Sequence, residues 1–280
     1  MSKVSKVALS GAGGNIGRFL RPALLQRGVD LRSAGGIDAL QPLHEGEDIM
    51  SGDLRDPDVV DRLLEGVDVL IHLAGTSVER PLPEIIQNNL VALYEVYEGA
   101  RRHKVRRVIF ASSNHAFGMH SVKDKLKLDA PFRPDGLYGL SKVWGEAMAR
   151  MYWDKHGIEG ISVRIGTAFA RPPADFRQLS TWFGAEDMVH LMMQCISVAE
   201  IGYMAVWGVS NNTRSYWDNA GAEKLGFAPK QNSEEFAADI LKQPNPLDPI
   251  AQQYQGGGFV TVDFTPAALR PGRSDPKAAG

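Results

Sequence analysis

The feature that most constrains this chain is Gly11-Ala12-Gly13-Gly14-Asn15-Ile16-Gly17, which comes directly after the apolar run Lys6 to Ser10 and opens an amphipathic segment, Asn15 to Arg27. A plain turn also uses glycine. A glycine-rich junction between a strand and a helix, this near the amino terminus, favours a dinucleotide site. Gly11 would permit the tight turn, Gly14 the close approach of backbone to a pyrophosphate, and Gly17 the packing of helix on strand, with the helix N-terminus facing the negative charge.

Further along, short apolar runs alternate with longer amphipathic segments, the pattern of a parallel sheet covered by helices. Val69 to Leu73, Arg107 to Ala111, Ile161 to Ile165 and Met204 to Trp207 read as strands; Pro57 to Leu64, Ile85 to His103 and Tyr138 to Lys155 read as helices. The expected class is α/β: a Rossmann-type, doubly wound parallel sheet with a small C-terminal substrate-binding lobe. Residues 1–168 form the dinucleotide-binding core, to which a late strand near 203–209 returns. Residues 169–265 form mainly the substrate lobe, and 266–280 a flexible tail rich in Pro, Gly, Ala, Lys and Asp.

Composition excludes several function classes. With 44% hydrophobic and 23% charged residues in 280, the chain can bury a full core. A net charge of -2 without a basic block gives no footprint for nucleic acid or an anionic membrane. No apolar run approaches the roughly 18 residues of a spanning helix, so no membrane partner is expected. The single cysteine, Cys195, excludes a disulfide framework and a cysteine-based zinc site, and it fits a reducing compartment. The amino terminus enters a strand where a signal peptide would need its apolar stretch, so a cytoplasmic protein is expected.

The chemistry centres on Tyr138 and Lys142, four residues apart and therefore on one face if their segment is helical. A free phenol, with a pKa near 10, is a poor base; a nearby ammonium favours phenolate. A half-buried Tyr with an exposed Lys on an ordinary helix gives the same spacing. The glycine loop and Ser112-Ser113 upstream favour hydride transfer on an alcohol.

Glycines at 11, 14 and 17 with a downstream Tyr-Lys pair resemble the extended branch of the short-chain dehydrogenase/reductase superfamily, the NAD-dependent epimerases and dehydratases. The resemblance sharpens in Phe110-Ala111-Ser112-Ser113-Asn114-His115, in Arg133 to Lys142, and in Leu179-Ser180-Thr181-Trp182-Phe183. With Val206-Trp207-Gly208, Trp217-Asp218-Asn219 and Gln255-Gly256-Gly257-Gly258-Phe259-Val260, these runs are similar to the uronate dehydrogenase family, from the glycine loop to about residue 262.

That resemblance implies oxidation of a small sugar acid, a hexuronate such as galacturonate or glucuronate, at C1 to its aldarolactone, without a metal. Tyr138 is the implied base, Lys142 lowers its pKa and holds the nicotinamide ribose, and Ser113 holds the reacting oxygen. Gly11, Gly14, Asn15, Ile16, Gly17, Asp38, Asp53, Leu54, Leu73, Ala74, Gly75, Asn89 and Ile165 are the further implied cofactor residues. Ser77, Asn114, His115, Thr167 and Arg177 are the implied substrate contacts, Arg177 offering its planar fork to the carboxylate. Asp53 also reads as a helix cap ahead of Pro57, Asn89 as a solvated helix residue, and His115 and Arg177 as surface residues. Relatives usually form homo-oligomers.

The sequence departs from this pattern at the end of the second strand, Leu31-Arg32-Ser33-Ala34-Gly35-Gly36-Ile37-Asp38. NAD-specific relatives place an acid there to bind the ribose hydroxyls. A gap-free count puts Gly35 at that place; Asp38 serves if the turn carries an insertion, while Arg32 or Ser33 suit a phosphate. NAD is the implied cofactor and NADP stays open. The alternatives in function are a nucleotide-sugar epimerase or dehydratase and a non-catalytic dinucleotide-sensing protein.

Overall fold

Every residue of β1 (Val7–Ser10), β4 (Val69–His72), β5 (Arg107–Ser113) and β6 (Glu159–Ile165) is buried. Strands with no solvent face need a cover of helices on both sides. The computed structural model describes residues 6–36, 40–266 and 269–270. Its main sheet has seven strands among the described residues, all parallel, in the order β3 (Asp48–Ser51), β2 (Leu31–Gly35), β1, β4, β5, β6, β9 (Tyr203–Gly208). The chain builds outward from β1 to β3, then returns to lay β4 against the other side of β1. This is the expected doubly wound Rossmann sheet, with its order reversing between β1 and β4.

One face of the sheet is covered by α1 (Gly17–Gln26) and α7 (Ala185–Ser197), which share a core with β1, β4, β6 and β9. The other is covered by α2 (Pro57–Leu64), α4 (Ala92–Arg102) and α5 (Leu137–His156). α7 was not among the expected elements. Its Met188, Leu191, Met192 and Cys195 are at most 1% exposed, so the stretch after residue 169 contributes a covering helix as well as loops. Each such side chain adds roughly 1.5–3 kcal/mol of burial.

Two expected helices differ in detail. The segment from Asn15 begins its helix only at Gly17, because residues 11–16 are spent on the turn. The helix expected over 85–103 is broken into α3 (Leu82–Ile85), a π-helical turn over Ile86–Val91, and α4. A π turn fits one extra residue into the helix and rotates the turns beyond it, a device common at functional sites; here it buries Asn89. A short pair, β7 (Thr167–Ala168) and β8 (Trp182–Phe183), flanks α6 (Gln178–Thr181), whose N-cap is Arg177.

Among the described residues, no helix is long and apolar enough to cross a membrane. Asp38, and the tail residues 267–268 and 271–280, lie outside the described residues.

Candidate active site

A cleft of about 640 Å³ opens at the carboxyl ends of the strands, where the strand order reverses. Its walls are the residues just beyond or at the end of each strand: Gly11 after β1, Gly35 in β2, Gly52 after β3, Leu73 to Ser77 after β4, Ser113 in β5 and Ile165 in β6. Open parallel sheets bind ligands at this place. The predicted residues Gly14, Asn15, Ile16, Gly17, Asp53, Leu54, Asn114, His115, Tyr138, Lys142, Thr167 and Arg177 also line it. Asn89 does not; its neighbour Asn88 does.

At the adenosine end, shape comes from missing side chains. Gly11 has φ +73°, and a Cβ there would lie 2.8 Å from the Ala74 backbone nitrogen. At Gly17 a Cβ would overlap the Gly11 carbonyl. The turn leaves backbone and the start of α1 bare toward the cleft, which fits a pyrophosphate. Asp53 also lines this end, and its carboxylate is held below the usual range by hydrogen bonds from Arg55, the ion pair measuring 2.5 Å. It remains an acceptor, as an adenine amino group requires. The helix cap ahead of Pro57 is instead Asp56, which accepts from Asp58 N at 2.9 Å.

Arg32 and Ser33, which the sequence offered for a phosphate, are turned away from the cleft. Arg32 is bound to Asp48 and to the carbonyls of Arg62, Leu63 and Glu65, and the buried Ser33 hydroxyl reaches Glu47. Alternation along β2 sends these side chains elsewhere, so backbone and Gly35 face the ligand.

Between the two ends, Tyr138 stands in the first turn of α5, with Ser113 at the end of β5 lining the same cleft. Burial pushes the phenol up to about 12, partly offset by the nearby Ser113 hydroxyl, with the charge of Asp135 adding to the rise. Lys142 does not bring it down. Its Nζ lies over the rings of Phe110 and Tyr138, 5.0 and 5.5 Å from their centroids, and has no hydrogen-bond partner among the described residues. Burial pulls this ammonium down to about 8. Its unused donors beside the cleft fit the hydroxyls of a ribose.

Two residues hold the centre from behind. Asn89 accepts from Thr76 N at 2.7 Å and donates to Ser141 Oγ at 2.9 Å, while Ser141 bonds the Tyr138 carbonyl. Glu79, which carries no signal in the sequence, accepts from the N–H groups of Leu137 and Tyr138 at 2.8 and 3.0 Å. Gly136, at the N-cap, has no side chain to do this; a carboxylate from 58 residues upstream caps the helix in its place.

The far end of the cleft holds Arg177. It is half-buried and forms no ion pair within 4.0 Å among the described residues; burial lowers its pKa. Its Nε donates to the Gln255 carbonyl at 2.7 Å and Nη1 to Thr167 Oγ1 at 3.3 Å; with the Asn114 amide turned so that its oxygen faces the guanidinium, Nη2 donates to it at 2.7 Å. Three neutral acceptors orient this guanidinium and leave its charge uncompensated at close range. Ser77 lines the same cleft, as does Phe259, whose ring stacks on His115 at 3.8 Å between centroids. His115 is no surface residue: it is 8% exposed and bonded to Asp135. Trp182, Phe183, Trp207 and Trp217 are buried in packing, the last two stacked at 4.9 Å.

Among the described residues, no group of three or more His, Cys, Asp or Glu side chains is arranged to hold a metal ion.

Comparison with known proteins agrees with this geometry. The profile of the NAD dependent epimerase/dehydratase family matches residues 7–218. The chain is 42% identical to a uronate dehydrogenase of Pseudomonas syringae pv. tomato over 91% of this chain and 93% of that protein. It superposes on a mutant uronate dehydrogenase of Agrobacterium tumefaciens complexed with NAD, with a TM-score of 0.87 and 40% identity over 92% of this chain and 97% of that one. A glucuronic acid dehydrogenase from Chromohalobacter salexigens superposes with a TM-score of 0.88 and 37% identity, covering 93% and 98%. Matched along nearly its whole described length, and carrying the glycine turn and the Tyr-Lys pair in one cleft, the chain belongs to the NAD dependent epimerase/dehydratase family and resembles the uronate dehydrogenases within it.

Proposed function

We propose that the protein oxidises a free hexuronic acid, galacturonate or glucuronate, at C1 to the aldarolactone, using NAD. The observation that carries this reading is Arg177: an oriented guanidinium without a carboxylate partner, in the same cleft as Tyr138, Ser113 and Lys142. A cation held this way is matched by an anion brought in by the substrate.

Bound NAD would supply the hydride acceptor for C1 and a positive charge in the cleft. Tyr138, whose phenolate that positive charge would favour against the effect of burial, takes the C1 hydroxyl proton, so the C1–O bond becomes a carbonyl while the ring oxygen stays attached, giving a lactone that water opens. Ser113 donates to the reacting oxygen and holds it near the phenol. Lys142 holds the nicotinamide ribose through its free donors. Gly11, Gly14, Asn15, Ile16 and Gly17 bind the pyrophosphate side, with Asp53, Leu54, Leu73, Ala74, Gly75 and Ile165 along the rest of the dinucleotide. Asn89 acts indirectly, by fixing the loop at Thr76 to α5. Ser77, Asn114, His115, Thr167 and Arg177 surround the sugar acid.

In the same reading, residues 1–168 with β9 carry the cofactor, and residues 169–265 carry mainly substrate contacts. Exposed Leu140, Trp144 and Met151 on one face of α5, together with exposed Tyr94 on α4, support a homo-oligomer. The lone buried Cys195 supports a reducing, cytoplasmic setting.

The test is reduced-nicotinamide absorbance with NAD, and separately NADP, against free uronic acids and nucleotide sugars. Signal with galacturonate or glucuronate and NAD is the expected result. Conversion of nucleotide sugars alone points to an epimerase or dehydratase, and binding of NAD with no turnover of any sugar points to a sensor.

A further inference from the structure

Asp135 lies behind the substrate end of the cleft, against His115, and the reaction above does not use it. Its side chain is wholly buried; Oδ2 lies 2.7 Å from His115 Nδ1, and Oδ1 has no hydrogen-bond partner. A Cβ on Gly118 or Gly256 would overlap the carboxylate, so both loops that cross it are bare at the crossing. Enclosing a carboxylate like this costs several kcal/mol unless a partner compensates. Among the described residues, the one side chain within hydrogen-bonding distance is the ring of His115.

That ring is held on its other sides as well. Phe259 stacks on it at 26°, the Tyr138 ring lies 5.7 Å away, and the His115 backbone N–H donates to Ser113 Oγ at 3.2 Å. The Asp135 N–H also donates to the His115 carbonyl at 3.2 Å, so the two residues are joined through backbone and side chain together. The charged or titratable groups around the ring are Asp135 and Tyr138, with Arg177 close enough to sense the charge of Asp135; Phe259 brings none.

An ionised carboxylate can only accept. The hydrogen in this contact therefore belongs to Nδ1, and the second ring nitrogen, Nε2, is left for the cleft that His115 lines. We propose that Asp135 is a positioning residue: it keeps the hydrogen of His115 on Nδ1, so that Nε2 stands bare as the acceptor for a hydroxyl of the bound sugar acid. This rests on the uronate reading of the cleft and adds a reason for hydroxyl recognition beside the carboxylate contact of Arg177.

The experiment combines nitrogen NMR on histidine-labelled holoenzyme with kinetics of Asp135→Asn. The His115 signals are identified by their loss in His115→Gln. In mildly alkaline buffer the wild-type ring is expected to show a protonated Nδ1 and a bare Nε2. Asn keeps the size of Asp but can present either an acceptor or a donor to Nδ1, so the tautomer is no longer dictated. KM for uronate is expected to rise roughly tenfold, the loss of one hydrogen bond, with a smaller change in kcat and none in KM for NAD. A bare Nδ1 or a doubly protonated ring in the wild type overturns the proposal whatever the activity, as does an unchanged uronate KM in Asp135→Asn. If that variant does not fold, the wild-type spectrum decides. Absence of uronate oxidation by the wild-type protein overturns the reading of the cleft itself, and with it the acceptor role, while the tautomer is still read.

Discussion

The two ends of one cleft are built from different materials. The adenosine end is mostly backbone: Gly11, Gly14, Gly17, Gly35, Gly36 and Gly52 line it, with one half-exposed ion pair, Asp53 and Arg55. The other end is made of ionisable side chains withdrawn from water, with Tyr138, Lys142 and His115 buried, Arg177 half-buried and Asp135 enclosed behind His115. In the proposed reading a nucleotide would meet space and peptide dipoles at the first end, and a sugar acid would meet charge at the second. Substitutions at the first end should therefore act through added volume, and at the second through removed or added charge.

The largest expected effect is at Tyr138, the proposed proton acceptor. Tyr138→Phe keeps the ring and should lower kcat on the order of 10³-fold, with NAD affinity by calorimetry unchanged; turnover near wild type would break the division of labour. Next, Arg177→Ala should lower kcat/KM for uronate by roughly 10²-fold while leaving the rate with a neutral sugar little altered. Equal losses on both sugars would mean that the guanidinium holds the fold and not the carboxylate.

Lys142 gives a stability test with an opposite sign. Its folded pKa of about 8 lies below the ordinary 10.5, so the buried charge destabilises the fold fully below about 8 and the penalty fades as pH rises toward 10.5. Tyr138, raised to about 12, then opposes the trend, because the unfolded chain loses its phenol proton first, from about 10. Lys142→Met should thus be more stable than wild type at neutral pH without NAD, by roughly 2 kcal/mol, yet catalytically impaired. Urea unfolding across pH measures it, and a less stable variant sinks the idea of a charge held at a cost.

At the other end, Gly17→Ala should raise KM for NAD roughly tenfold, an overpacking effect of about 1–3 kcal/mol, and leave KM for uronate alone. The smallest effect belongs to the link between the ends. Glu79→Gln can accept one of the two α5 N–H groups where the carboxylate accepts both, and should cost about 1 kcal/mol, seen as a severalfold drop in kcat with the melting temperature slightly reduced.

Legibility in the sequence ran along the same divide. The glycine turn was readable because Gly11, Gly14 and Gly17 act within one turn of chain, and strands buried on both faces announce themselves as short apolar runs. Tyr138 and Lys142 were readable as a pair four apart. Asp135 and Glu79 were not, since the first matters through a histidine 20 residues earlier and the second through a helix 58 residues later. The π turn at Ile86–Val91 was also invisible, because its pattern of apolar residues continues that of an ordinary helix. α7 did carry a helical period in Met188, Leu191, Met192 and Cys195, which is the signal that locates it.

The doubly wound sheet, the glycine turn and the four-residue spacing of Tyr138 and Lys142 were legible along the chain, because each depends on neighbours in sequence. Packing between distant segments set the rest: Lys142 faces ring planes, Arg32 and Ser33 turn away from the cleft, and Asp135 meets His115. Those outcomes depend on burial and on contacts between distant segments, and charge in a protein interior is governed by what surrounds it in space.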